Sequence, residues 1–204
     1  MTKLGRLFPL PLRLCASALI LMKAALLFSI ILAMPVIAEE SEPAPKSIDG
    51  KDVPPIEKLV LLKGNVKAGE AIFKDPKTAN CVNCHRMGDM GKEVGPPLDS
   101  IGEKPKEVLF ESILQPSAAI QHGFETYAIK TKDGVLLTGL LIEETEEHLL
   151  LRDATGEQIE IAPAKVLKKL RQEKSMMPEG LSGLMTLQEL VDLVEFLASK
   201  RVGQ

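Results

Sequence analysis

Cys81-Val82-Asn83-Cys84-His85 constrains this chain more than any other stretch. Two cysteines three apart with a histidine directly after the second form C-x-x-C-H, the attachment pattern of c-type haem. The spacing has a chemical reason. Each thiol can add to one vinyl group, and the two thioethers then hold one edge of the macrocycle against a single turn of backbone. The next residue, His85, lies under the iron and can give it an imidazole nitrogen. Other chemistry shares C-x-x-C. A thioredoxin-like redox pair expects a βαβ context, whereas glycines and prolines crowd this region. A zinc site wants two more Cys or His ligands at tight spacing. With Cys15 set aside no third cysteine remains, and His122 and His148 stand alone in the sequence.

The N-terminus fits an exported protein. Lys3, Arg6 and Arg13 precede an almost wholly apolar run over 14–37, broken by Lys23. Val36-Ile37-Ala38 then offers a small-residue cleavage site before Glu39-Glu40. Residues 1–38 read as a signal peptide, or as an anchor if left uncleaved. Residues 39–55, EESEPAPKSIDGKDVPP, are acidic and proline-rich without apolar periodicity, and read as a flexible linker. The 204-residue chain then has about one domain's length left, 56–204. The first 38 residues carry four of the 25 Lys and Arg and none of the 28 Asp and Glu, so the remainder has a net charge of −7. That argues against nucleic acid and against an anionic membrane surface as partners, and permits docking to a basic protein surface. With no Trp and one Tyr, a bound macrocycle would supply much of the bulk that aromatic side chains usually give a core.

Periodicity places the elements. Over 65–74, Val66, Gly69, Ile72 and Phe73 share one helical face, with Asn65 as N-cap. Gly69 inside a helix costs about 1 kcal/mol relative to Ala, which suggests that another helix comes close. The partner is at the far end. Residues 186–200 open with the capping box Thr186-Leu187-Gln188-Glu189 and carry a stripe of Leu187, Leu190, Val191, Val194 and Leu197. A third helix reads over 105–114, with Pro105 in its first turn. The period then shifts towards 2. Strands are expected at 124–131, 135–143, 147–152 and 157–162, with Lys132-Asp133-Gly134 as a hairpin turn.

A helix with G-x-x-x-F just before C-x-x-C-H, and a last helix holding Phe196-Leu197, resembles the frame of a class I c-type cytochrome. The combination of Leu114-Gln115-Pro116-Ser117, the Asp-Gly hairpin and Ser175-Met176-Met177-Pro178-Glu179-Gly180-Leu181 is similar to the haem-binding domain variety found in planctomycete and verrucomicrobial proteins. The resemblance covers about 64–200. It implies a mostly α, cytochrome c-like haem domain with a small antiparallel β-meander inserted at about 124–162. It also implies roles. In Gly95-Pro96-Pro97-Leu98, the Pro96 carbonyl would accept a hydrogen bond from His85 Nδ1, fixing the ring and raising its basicity. Met177, before Pro178, would be the second axial ligand, with Met176 as fallback and His122 as the bis-histidine alternative. The expected protein holds one covalent haem c, with Cys81, Cys84, His85, Pro96 and Met177 at the site and His85 and Met177 on iron. It is no enzyme, and carries single electrons in the periplasm, either free or held at the membrane by the N-terminal segment. Its redox partner would be a dehydrogenase or oxidase. The alternatives are a haem-based sensor with an open distal position, and an interaction module stapled by the haem.

Overall fold

The computed structural model describes residues 45–47 and 50–201. The segment read as signal peptide or anchor lies outside them. Among the described residues no helix is long and apolar enough to cross a membrane.

Among the described residues four α-helices and five β-strands follow one another in blocks. Helix α1 is Ile56–Leu59, α2 Val66–Lys74 and α3 Lys106–Leu114. Strands β1 Thr126–Thr131, β2 Leu136–Glu144, β3 Leu149–Arg152, β4 Gln158–Ile161 and β5 Val166–Arg171 come next, and α4, Leu187–Ala198, closes the chain. Both long-range helices begin where their side chains satisfy the first free N–H groups. Asn65 Oδ1 accepts from Lys67 N and Ala68 N. Thr186 and Glu189 cap each other reciprocally.

Helices α2 and α4 cross at Gly69. A Cβ there would lie 1.9 Å from the Asp192 carbonyl oxygen and 2.7 Å from Phe196 Cβ, so backbone meets backbone with no room for a side chain. One turn further on, the Phe73 and Phe196 rings pack at 5.6 Å between centroids, tilted by 49°. The buried Asp192 is satisfied, since Oδ1 accepts from Asn65 N and from Gln188 Nε2, both at 2.8 Å. Leu59, Leu109, Phe110, Met185, Leu190, Leu193 and Val194 complete this fully buried core.

The fold class departs from the mostly α expectation. Among the described residues strands hold nearly as many residues as the α-helices, in one antiparallel sheet of order β4-β3-β2-β1-β5. The sheet has its own apolar cluster of Ile129, Leu149, Leu151 and Ile161. The protein is therefore mixed α and β with two cores. Four strands fall within a few residues of their expected positions; β5 was not expected. It pairs with β1, and its register slips between Lys130 and Thr131, so Leu167 is an extra residue in a β-bulge. The bulge breaks the alternation by which a strand is recognised. In a flat sheet β4 and β5 would lie ~19 Å apart at four strand spacings. Ile161 to Val166 spans at most ~18 Å when fully extended, and Pro163–Lys165 is coiled in a 3₁₀ turn. The connection therefore obliges the sheet to curl towards a half-closed barrel, which is how Ile129 and Leu151 reach zero exposure in a cluster whose described members all come from the sheet or its turns.

The described part of the stretch read as linker packs onto the helical unit. Lys46 bridges to Asp52, Val53 N donates to Pro45 O at 2.8 Å, and Ser182 Oγ donates to Lys46 O at 3.1 Å. Val53 is buried in the helical core. A single apolar residue among polar ones carries no periodicity, so this docking left no mark in the sequence pattern.

The crossing at Gly69 gives a direct test. Gly69→Ala forces backbone from backbone and is expected to destabilise the protein by about 3 kcal/mol, the upper end for overpacking. Urea unfolding should show a lower midpoint with an unchanged slope.

Candidate functional site

Asn80, with φ 48° and ψ 47°, turns the chain in the left-handed region and delivers it into the 3₁₀ turn Cys81–Asn83. Cys84 N and His85 N both donate to Cys81 O, at 3.1 and 2.9 Å. The two cysteines and the histidine therefore share one tight turn, and both thiols are free. The chain then folds back on itself. At Gly91, φ is 86° and a Cβ would sit 2.1 Å from His85 O, so only glycine serves. Val94 N and Gly95 N then both donate to Cys84 O, at 3.0 and 2.7 Å.

That return places Gly95 against the imidazole. A Cβ on Gly95 would lie 2.6 Å from His85 Cε1 and 2.9 Å from Nδ1. His85 Nδ1 is 2.7 Å from the Pro96 carbonyl oxygen. A carbonyl can only accept, so Nδ1 carries the hydrogen and Nε2 keeps the lone pair. Cys81, Cys84, His85 and Pro96 are thus brought together as one unit. Gly95 is the residue that reading the motifs missed. Its only signal was its place in the Gly-Pro pair, which suggests a turn and says nothing of a ring lying on it.

Burial sets the electrostatics. It pushes the Cys81 thiol up to about 11 and raises Cys84 as well, against a smaller opposing pull from the Lys92 charge. Burial also lowers His85, opposed by its bond to Pro96, so the imidazole is held neutral. A dithiol oxidoreductase needs the reverse, thiols whose anions are stabilised. Among the described residues no group of three or more His, Cys, Asp or Glu is gathered where it could hold a metal ion. The donor set fits a macrocycle held by neutral sulfur and one imidazole: two free thiols on one turn, a neutral ring with Nε2 to give, and a glycine cradle beneath it.

Met177 packs against the helical core, as Cys81 and Val82 do. Its N–H donates to Ser175 Oγ at 3.1 Å, Ser175 N donates to Ser117 Oγ at 3.2 Å, and Ser117 Oγ donates to Glu179 at 3.0 Å. Met176 is also half-buried. His122 stands apart from both: its side chain is fully exposed and bonds Glu125 Oε1 at 3.2 Å. Met87 is buried in the helical core, and its backbone pairs with that of Met90.

No family model matches the chain, and no curated protein does. Among solved structures, SoxXA from P. pantotrophus is similar at a TM-score of 0.37 and 18% identity, over 69% of this chain and 84% of that one. A likeness of that size carries no argument about function.

The thiols allow a check on the electrostatics. With both free, alkylation by iodoacetamide near pH 7 should be slow, and Cys81 should react readily only as pH approaches about 11. Mass spectrometry of the labelled peptide gives the rates. Fast labelling of Cys81 at neutral pH would mean a stabilised thiolate and would return the dithiol reading to the front.

Proposed function

We propose that this protein is an exported c-type cytochrome that carries single electrons through one covalent haem and is not an enzyme. The observation that carries the reading is the seating of His85: on the turn that holds both cysteines, ring against Gly95, Nδ1 bonded to Pro96 O. When bound, the group supplies a reversible one-electron couple. The chain does the rest. Cys81 and Cys84 offer two sulfurs for thioether bonds. His85 offers Nε2, and the Pro96 carbonyl fixes the tautomer and strengthens the ring as a donor. Met177 offers a soft, neutral thioether that favours the reduced metal and raises the potential. Pro178 biases Met177 towards extended backbone, which suits a loop laid across a ligand face. With His85 and Met177 both offered to the iron, no substrate would need to bind, and the protein would pass electrons to a partner such as a dehydrogenase or oxidase. The apolar N-terminal run supports export to the periplasm, where such haem is attached, either free or held by an uncleaved anchor.

Two experiments test this. Cys81→Ala together with Cys84→Ala should abolish covalent haem, read as loss of haem staining on a denaturing gel. Staining that survives in the double variant sinks the assignment. The oxidised protein should show the weak long-wavelength iron–thioether band. Met177→Ala should remove that band, lower the potential and let imidazole or cyanide bind. If Met176→Ala does so instead, the ligand is Met176. A band absent from the unmodified protein would favour an open distal position and the sensor reading.

A further inference from the structure

The chain between His85 and its Pro96 acceptor is held from two sides. From within, Lys92 N donates to Val82 O at 3.2 Å, and Val94 and Gly95 donate to Cys84 O. From without it meets the β3–β4 hairpin. Arg152 Nη1 donates to Glu93 O at 2.5 Å, and Lys92 Nζ lies 3.5 Å from Thr155 O. Gly156 packs so closely on the buried Val94 that a Cβ there would stand 3.3 Å from Val94 Cγ2. The hairpin is itself stiff. Arg152 pairs with Gln158 across the ladder, and Asp153 Oδ1 accepts from Thr155 N, Thr155 Oγ1 and Glu157 N. The far ends of β1 and β5 in the same sheet are pinned to each other. Gln172, directly after β5, donates to Thr126 O at 2.8 Å, and Arg171 pairs with Glu125 at 3.8 Å.

We propose that the curled sheet is a brace for the loop that carries the His85 acceptor, and that Arg152 is its positioning residue. The guanidinium bond to the Glu93 carbonyl is charge-assisted and therefore strong. It fixes Glu93–Pro96, and so fixes the acceptor that orients His85. A site held to a fraction of an ångström needs its supporting groups on rigid elements rather than on loops alone. Here a loop carries the acceptor and a sheet lends it rigidity. The brace on the loop stands on the contacts themselves; its effect on a metal rests on the function proposed above.

The test uses Arg152→Ala and Arg152→Lys in the full chain. In Arg152→Ala, hydrogen exchange at Val94 N–H and Gly95 N–H should speed up about tenfold, as expected for loss of a charged hydrogen bond, while the amides of α4 keep their rates. Arg152→Lys, which retains a cationic donor, should recover much of the protection. In the haem-loaded protein the midpoint potential should rise in Arg152→Ala and return towards the original value in Arg152→Lys, because a looser Nδ1–H bond makes His85 a poorer donor to ferric iron. Unchanged exchange at Val94 and Gly95 overturns the brace. Equal acceleration in α4 also overturns it, since Arg152 would then serve the fold as a whole. Local acceleration with an unmoved potential overturns the positioning role towards His85. A protein that carries no covalent haem defeats the proposed function, and the amide rates still decide the brace.

Discussion

The close approach of α2 and α4 at Gly69 is the constraint from which the rest of the molecule hangs. The two helices are far apart in sequence, and everything between them, C-x-x-C-H turn and sheet included, forms a loop whose ends meet there. Closing such a loop is entropically unfavourable, though the penalty grows only slowly with length. What offsets it is a short interface with no slack: bare backbone at Gly69, the Phe73–Phe196 pair beside it, and a buried aspartate with both its partners supplied. Gly64 and Gly102 repeat the device around the same helix. A Cβ at Gly64 would lie 2.7 Å from Val191 O, and one at Gly102 2.4 Å from Ala198 O. Three glycines let two segments, the entry and first turns of α2 and the turn at Gly102, lie directly on α4.

What could be read in advance was what local chemistry decides. The N-cap at Asn65, the capping box at Thr186 and the hairpin turn at Asp133-Gly134 are short-range, and the helices and the β1–β2 turn lie where those signals put them. The pairing of His85 with Pro96, eleven residues on, came from the family resemblance rather than from local chemistry. The strand β5 was hidden for a physical reason. Val166, Leu167 and Leu170 are spaced more like a helix than a strand, because Leu167 is a bulge residue that belongs to neither face. The seating of Val53, the cradle at Gly95 and the bond from Arg152 to Glu93 were hidden for another. Each depends on segments distant in sequence or on a missing side chain, and neither leaves a period or a motif.

The second core explains why a mostly helical expectation failed. A small meander would need a helix to cover its apolar face, and would then be an ornament on a helical domain. The connection between β4 and β5 instead folds that face on itself, so the sheet buries Ile129 and Leu151 without borrowing from the helices. Its edge is defended as exposed strand edges commonly are. Lys168 stands directly opposite Lys130, an unfavourable pairing of like charges, while Lys169 is held by Glu144 and lies over the Tyr127 ring. Lysines that weaken pairing with β1 a little also discourage a foreign strand from adding to β5. A sheet that is self-sufficient and closed to neighbours can serve as a rigid reference for loops that are not.

Rigidity matters at this site because its donors are neutral. A thiolate or carboxylate centre gathers its metal by charge, and strong Coulomb attraction tolerates some play in the ligands. Burial works against charge here: the free Cys81 thiol is pushed up to about 11 and His85 is lowered. In the function proposed above, the site would rely on covalent bonding through sulfur and the aim of a single imidazole lone pair, and both depend on geometry. The fold meets that demand with backbone. One carbonyl, Cys84 O, gathers two amides, a glycine leaves room for the ring, a proline carbonyl fixes its tautomer, and the sheet holds the loop that brings the last two together.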